Sequence, residues 1–338
     1  MKRHFVSLSM LILGFVATAH GQAPSSLKLL QKIPLPNVKG RLDHFGVDLK
    51  GQRLFVAALG EDQNTVEVID LKSGKWVSSI AGQSKPQGLF YSSNFKKLFV
   101  ANGTDGTCKI FAGDTLKLIE SLPIGPDADH VGYDPGTKYL YVGFGDAKSG
   151  GLAIIDTRTN KHIADIKTDA RSGGIKIEKS SPETFVTLTG ATDLGVVDLK
   201  KRAQISVWPT GLSTNVALAL DEGHHRLFDG VRDPATLIVL DTESGKEISR
   251  LEGVAGIDDL WYDSARTRVY ASGGRGFDVG FVYTYQQKDA DHYELIGKVP
   301  TAPGAGTSFW SPELNHLFVA APANDKEQAA ILVFEPQP

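Results

Sequence analysis

The sequence contains a single cysteine, Cys108, among its 338 residues, so no disulfide can form within the chain. Exported domains with small cores commonly depend on disulfides, and we therefore expect this fold to rest on a large hydrophobic core. Long apolar runs are missing as well. After the first 21 residues, no segment approaches the roughly 18 consecutive apolar residues of a membrane-spanning helix, and we expect no membrane insertion.

An excess of positive charge is also missing, because 36 Lys and Arg residues stand against 39 Asp and Glu residues. Nucleic acids and anionic membranes bind proteins through basic surfaces, so we expect neither partner. No stretch of helical length repeats its apolar residues with a 3.6-residue period. Together with 36 glycines and 16 prolines, this pattern predicts an all-β, turn-rich protein.

The first 21 residues have the pattern of a secretory signal peptide. Lys2 and Arg3 precede the apolar stretch Phe5–Ala17, and small residues follow before an expected cleavage ahead of Gln22, with a cut after Ala23 as the alternative. Cleavage would remove both basic residues and shift the net charge from −3 to about −5. We therefore expect a signal peptide over residues 1–21 and a periplasmic or secreted protein, since the same signal serves both destinations.

A repeat fills the rest of the chain. One motif, an apolar pair after a tight turn, recurs at spacings of 44, 42, 44, 43, 42 and 48 residues. Its anchors are Leu54, Leu98, Leu140, Thr184, Leu227, Val269 and Leu317. Each copy has room for about four short strands, and such units stacked radially form the blades of a β-propeller. We predict a seven-bladed β-propeller as one domain over residues 22–338.

The ends of the repeat predict how the ring closes. The last copy supplies only three strands, near Ser308–Trp310, Leu317–Ala320 and Ala330–Phe334. An N-terminal strand within Leu27–Leu35 can complete this last blade. Closure in this way leaves no exposed strand edge to pair with another chain, so we expect a monomer.

Several strings within the repeat resemble the YVTN-repeat family of bacterial seven-bladed propellers, which includes YncE-like proteins. These are LFVAN at Leu98–Asn102, LYVG at Leu140–Gly143, and the downstream strings VIDLKSGK and VLDTESGK. The resemblance implies an exported protein that binds a ligand, a protein or a cell surface. Related propellers include sugar-lactone hydrolases and streptogramin lyases, so an enzyme acting on a lactone or cyclic substrate is the alternative.

Titratable residues stand out where three of the seven innermost strands begin. Blades one, three and six carry the pairs Asp43-His44, Asp129-His130 and Asp258-Asp259. The other four blades carry Gln87-Gly88, Gly173-Gly174, Val216-Ala217 and Gly306-Thr307. We expect the three pairs to be widely spaced around one mouth of the channel. Each pair should offer one side chain to the axis, because neighbouring strand residues point in opposite directions.

The sequence therefore predicts a ligand-binding mouth, and a flexible glycine-rich loop over Gly273–Gly280 adds one arginine to it. The predicted binding residues are Asp43, His44, Asp129, His130, Asp258, Asp259 and Arg275. In the enzyme alternative, His44 and His130 act in catalysis, with or without a divalent metal. No metal-binding motif is present and no cofactor is predicted.

A structural role for these residues is the competing interpretation, in which each histidine bonds the backbone of its own blade. Arg41 and Arg171 are expected to pair with the neighbouring carboxylates. Trp261 and Trp310 lie on innermost strands and are expected in the core. Cys108 is expected to be a small buried hydrophobe.

Overall fold

A computed structural model describes residues 25–60 and 64–338 of the chain. These residues form strands, turns and loops without any helix, and accordingly contain no helix suited to crossing a membrane. The predicted signal peptide lies outside the described residues.

The strands form seven four-stranded antiparallel sheets, which are the blades of a seven-bladed propeller. Blades one to three comprise β2 (Arg41–Asp48), β3 (Arg53–Leu59), β4 (Asn64–Asp70) and β5 (Lys75–Ile80); β6 (Pro86–Ser92), β7 (Lys97–Asn102), β8 (Thr107–Ala112) and β9 (Leu118–Pro123); and β10 (Val131–Asp134), β11 (Tyr139–Gly145), β12 (Gly150–Asp156) and β13 (Lys161–Thr168). Blades four to six comprise β14 (Ser172–Ile177), β15 (Glu183–Leu188), β16 (Asp193–Asp198) and β17 (Ala203–Pro209); β18 (Asn215–Asp221), β19 (Arg226–Arg232), β20 (Ala235–Asp241) and β21 (Glu247–Glu252); and β22 (Ile257–Asp263), β23 (Arg268–Gly273), β24 (Phe281–Gln287) and β25 (Tyr293–Pro300).

Blade seven joins the two ends of the described chain, which confirms the predicted closure. Its inner strands are β26 (Ser308–Ser311), β27 (His316–Ala321) and β28 (Ala330–Pro336), and its outer strand is β1 (Leu27–Pro34). Strand β1 runs antiparallel to β28, from Leu27 opposite Pro336 to Pro34 opposite Ala330. Leu27 and Ile33 are buried beneath this pairing.

The hydrophobic core lies between neighbouring blades. The second strand of each blade carries an aromatic residue directly after the repeat anchor. All seven rings are at most 2% exposed: Phe55, Phe99, Tyr141, Phe185, Phe228, Tyr270 and Phe318. Burying one such side chain contributes about 1.5–3 kcal/mol to the free energy of unfolding. The regular spacing of the anchors thus reflects one buried ring per blade. Cys108 is also fully buried, and burial raises the pKa of its thiol to about 12.

One buried position breaks the repeat. Asp229 on β19 is fully buried, and both carboxylate oxygens lack a hydrogen-bond partner among the described residues. The same position holds valine in five other blades and alanine in one: Val56, Val100, Val142, Val186, Ala271 and Val319. Burial raises the pKa of Asp229 well above the ordinary carboxyl value, and the charge of Arg250 offsets only part of that effect.

Candidate functional site

A β-bulge at the start of the inner strands turns both residues of each titratable pair toward the channel. In blade one, Leu42 pairs with Ala58 and Phe45 with Val56, so Asp43 and His44 together face a single residue of β3. The extra residue interrupts the alternation of side chains. The expectation that each pair offers only one side chain is therefore wrong.

Blade three has the same arrangement in its hydrogen bonds. The amide of Asp129 donates to the carbonyl of Gly143 (2.9 Å), and the amide of Gly143 donates to the carbonyl of His130 (2.9 Å). The two residues that directly precede β10 thus stand opposite one residue of β11. In blade six, the register shifts between Ile257 and Asp259, which makes Asp258 the extra residue.

The three pairs converge at the axis instead of being widely spaced. The rings of His44 and His130 lie 4.3 Å apart between centroids. Nε2 of His44 lies 3.7 Å from Oδ1 of Asp129, and Nδ1 of His44 lies 3.6 Å from Oδ1 of Asp259. Nδ1 of His130 is 3.5 Å from the same oxygen of Asp129. Blades one, three and six therefore meet in one cluster across a narrow channel.

The histidine rings form no hydrogen bond to described backbone, contrary to the structural interpretation. Both ring nitrogens of His130 and Oδ1 of Asp129 are buried without a hydrogen-bond partner in residues 25–60 and 64–338. We call His44, Asp129 and His130 the His–Asp cluster. One ligand atom from each of its residues lies within 4.8 Å of the others.

The two imidazoles have opposite pKa shifts. Burial opposes the protonated form of His44, but the nearby charges of Asp259, Asp129 and Asp258 outweigh it and raise the pKa. For His130, burial dominates and lowers the pKa, although the charge of Asp129 acts in the other direction. Burial also disfavours the carboxylate of Asp129, yet its interactions with His130, His44 and Arg171 hold its pKa well below the ordinary value.

Four arginines surround the outer end of the cluster, at the mouth of the channel. Arg41 pairs with Asp43, and Arg171 pairs with Oδ2 of Asp129 at 2.8 Å, so the structure confirms both predicted pairings. Arg232 pairs with Asp258. The predicted loop residue Arg275 reaches the same carboxylate of Asp258 at 3.5 Å.

Burial and repulsion from a neighbouring arginine lower the pKa of two of these arginines, Arg41 and Arg232. The pKa of Arg41 is lowered first by burial and then by the charge of Arg275. The pKa of Arg232 is also lowered by burial, and Arg275 adds to the effect against the charge of Asp258. Each of the four arginines is nevertheless paired with a carboxylate, and Arg171 has a second one in Asp127 at 3.2 Å. The mouth is therefore lined by charges of both signs, with the cationic groups close together.

The His–Asp cluster separates this mouth from an inner chamber. The mouth encloses about 40 Å³ and the chamber about 180 Å³, and His44 and His130 line both. Phe90, Trp261 and Phe309 supply apolar walls to the chamber. A molecule that enters at the mouth thus meets a charged layer, then the imidazoles, and then aromatic rings.

Trp261 packs against the core as predicted, but it is only partly buried and its ring also lines the chamber. Its Nε1 donates a hydrogen bond to Oγ of Ser308 (3.1 Å), and Nζ of Lys176 lies 4.8 Å from the ring centroid. Burial lowers the pKa of Lys176, and Asp259 offsets part of that shift. Trp310, by contrast, is buried in the core as predicted.

Sequence reasoning missed the chamber residues, although a signal for them exists. Phe90, Lys176, Trp261 and Phe309 all lie two residues after the pair position of their blade. Side chains two residues apart lie on the same face of a strand. The channel-facing pair positions therefore predict that these four side chains also face the channel. Arg232 was also missed; it ends β19, where the connection between second and third strands reaches the mouth.

A glycine in blade two makes room for the residues of blade three. Gly88 occupies the position that His44 occupies in blade one. A Cβ atom at Gly88 would lie 2.1 Å from the carbonyl oxygen of Asp129, which is closer than any side chain can approach. The absence of a side chain there allows Asp129 and His130 to reach the axis.

Comparison with known proteins supports the fold. No family model matches the sequence, and no curated protein matches it. One similar solved structure is a chain of the "Crystal Structure of Mitotic Checkpoint Complex", with a TM-score of 0.74 and 14% sequence identity. The alignment covers 96% of this chain and 99% of that chain. At this identity the likeness shows a shared seven-bladed architecture and nothing about the ligand.

Proposed function

We propose that the protein binds a small, negatively charged ligand at the mouth of its channel. The observation that carries this proposal is the set of four arginines, Arg41, Arg171, Arg232 and Arg275, which face one narrow opening. Guanidinium groups bind carboxylates and phosphates with paired hydrogen bonds. An anion placed among them would relieve the repulsion that Arg275 exerts on Arg41 and Arg232.

The shape of the channel indicates the class of ligand. The charged mouth is small, at about 40 Å³, whereas the chamber of about 180 Å³ has aromatic walls. Binding sites of this kind combine apolar walls with a few polar groups that fix orientation. We infer a small organic acid or phosphate ester, with its anionic group among the arginines and its carbon skeleton pointing toward the chamber.

The resemblance to the YVTN-repeat family and the pattern of residues 1–21 support a setting for this activity. Both point to a protein exported to the periplasm or to the outside of the cell, and closure of the ring, which leaves no exposed strand edge, supports a monomer. N-terminal sequencing of the exported product tests the signal peptide, and a first residue of Gln22 is expected. Recovery with Met1 still in place would contradict it.

Calorimetric titration of the protein with citrate and with inorganic phosphate tests ligand binding. We expect one site for at least one of these anions. Arg275→Gln should weaken binding about 10-fold, because it removes a charge that is 41% exposed and free to move onto a ligand. Affinity should also fall as salt rises, since salt screens the exposed part of the attraction.

Arg158→Gln is the matched control. This arginine pairs with Asp156 at 2.8 Å and is 48% exposed, and it follows the third strand of blade three, at the end of the propeller opposite the mouth. The control loses the same charge and should bind the anions as the unmodified protein does. Absence of binding for both anions, or equal weakening in both variants, would refute the proposal.

A hydrolase or lyase acting on a lactone or cyclic substrate is the second candidate, favoured by the paired histidines. His44 has a raised pKa and His130 a lowered one, and groups with pKa values driven apart suit an acid and a base. Acid release from D-glucono-1,5-lactone measures this activity. Rates equal to the uncatalysed reaction, or unaffected by His130→Ala, would argue against an enzyme acting on this substrate.

A further inference from the structure

We propose that His44, Asp129 and His130 bind a divalent transition metal ion at the boundary between the mouth and the chamber. One donor atom from each residue lies within 4.8 Å of the other two. Oδ1 of Asp129 is 3.5 Å from Nδ1 of His130 and 3.7 Å from Nε2 of His44. Ligand atoms about 2.0–2.2 Å from a tetrahedral zinc ion stand roughly 3.4 Å apart, so small rotations of the side chains suffice.

Two of the three residues, Asp129 and His130, have donor atoms that are free to bind an ion. Oδ1 of Asp129 is buried and has no hydrogen-bond partner within the described chain, and its residue is only 7% exposed. Neither ring nitrogen of His130 is hydrogen-bonded to a described residue. Buried polar atoms without partners are rare, because each costs about 1–3 kcal/mol. A bound cation would satisfy Oδ1 of Asp129 and one ring nitrogen of His130 together.

Neighbouring residues hold two of these ligands in place. Arg171 donates to Oδ2 of Asp129 at 2.8 Å and leaves Oδ1 facing the histidines. On the other side of His44, Asp259 lies 3.6 Å from Nδ1. The backbone amide of Ser308 donates to Oδ2 of Asp259 at 2.8 Å. A carboxylate behind a ligating imidazole fixes the ring and strengthens its donor nitrogen.

The ligand set indicates the chemical class of the ion. Two imidazoles and one carboxylate bind zinc in open sites and Fe²⁺ in sites with free positions. His44 and His130 face both the mouth and the chamber, so the remaining positions on the ion would point into the channel. A ligand entering past the arginines could then coordinate the ion directly.

This inference goes beyond the binding of an anion and does not depend on it. The His–Asp cluster can hold an ion when no anion is present, and the arginines can bind an anion when no ion is present. Zinc alone is therefore the probe. Arg275→Gln should weaken anion binding and leave zinc binding unchanged, because Arg275 contacts Asp258 and not the cluster.

The experiment is calorimetric titration of ZnCl₂ into the tag-free, chelator-treated protein. We expect one zinc ion per chain, with binding weakened at least about 100-fold in His130→Ala. That variant loses no side-chain hydrogen bond among the described residues, so circular dichroism should show an intact fold. Asp259→Asn should weaken binding by about 10–100-fold, as expected for a residue that orients a ligand.

His162→Ala is the matched control, because His162 also faces an aspartate, Asp165 at 2.6 Å, but lies on the outer strand β13. It should bind zinc as the unmodified protein does. The metal site is refuted if the unmodified protein binds no zinc under these conditions. It is also refuted if His130→Ala and His162→Ala bind zinc equally well.

Discussion

The inner strands of blades one and two have the same backbone bulge but carry opposite kinds of residue at it. Both β2 and β6 shift register at the same point, between Leu42 and Phe45 in one and between Pro86 and Leu89 in the other. At that bulge blade one carries an imidazole that reaches the axis, whereas blade two carries Gly88. Blade one contributes the imidazole of His44. Blade two contributes the space beside Gly88 that the backbone of Asp129 in blade three occupies.

This difference shows how a repeat acquires a site. The repeated features, such as the buried ring in each blade, determine the fold and do not contact the channel. The positions at which blades disagree determine what lies in the channel. A residue that breaks the repeat by being small, as Gly88 does, matters as much there as one that breaks it by being charged.

Among substitutions that test the difference between blades one and two, Gly88→Ala is expected to change the free energy of unfolding most. Its Cβ would lie 2.1 Å from the carbonyl oxygen of Asp129, so the backbone of blade three must move. We expect a loss of about 3 kcal/mol in the free energy of unfolding, measured by urea denaturation, together with loss of zinc binding.

Gly223→Ala controls for the substitution itself, because the nearest atom to its added Cβ is 3.4 Å away. It should change the free energy of unfolding by less than about 0.5 kcal/mol. Equal stability of the two variants would mean that Gly88 is not needed for the approach of Asp129.

A smaller effect, of opposite sign, is expected from Asp229→Val, which restores the residue found in five sister blades. Removing a buried carboxyl that has no hydrogen-bond partner in the described part of the chain should raise the free energy of unfolding at pH 7 by about 1–3 kcal/mol. Thermal unfolding of both proteins between pH 4 and pH 8 measures the difference.

The pH dependence follows from the raised pKa of Asp229 in the folded state. Above about pH 4 the unfolded chain releases this proton while the folded chain retains it, so rising pH favours unfolding. The gain in free energy of unfolding from Asp229→Val should therefore be small at pH 4 and should increase toward neutral pH. A variant less stable than the unmodified protein at pH 7 would show that Asp229 has a role the repeat does not reveal.

The smallest effect on stability is expected when blade one is given the glycine of blade two, in His44→Gly. His44 forms no hydrogen bond to described backbone, so the main cost is a glycine within a strand, at about 1 kcal/mol. Zinc binding should nevertheless be lost. A large loss of stability by urea denaturation, or zinc binding that persists, would show that the two blades are not equivalent frameworks.

The fold could be predicted from the sequence because its cause is local and repeated. Turns, alternating strands and a buried ring recur every 42–48 residues, and the missing strand of blade seven could be assigned to Leu27–Leu35 by counting strands alone. The predicted seven blades and their closure by β1 are confirmed.

The candidate site could be predicted only in part, since its geometry depends on contacts between blades. Aligned repeats indicated Asp43-His44, Asp129-His130 and Asp258-Asp259, and the structure brings all three pairs to one channel. The bulge that exposes both residues of a pair has no sequence pattern of its own. The 4.3 Å separation of the two imidazoles depends on the width of the channel, which no single blade determines.

The pairing of β1 with β28 also constrains the order in which the molecule can form. The strand of Leu27–Pro34 is synthesised before the other strands of the propeller, yet its partner at Ala330–Pro336 follows some 300 residues later. Contacts so distant along the chain form slowly. Until then β1 is an unpaired, partly apolar segment that other chains can capture. The strand that closes the ring is therefore also the strand that must wait longest for its partner while the chain is made.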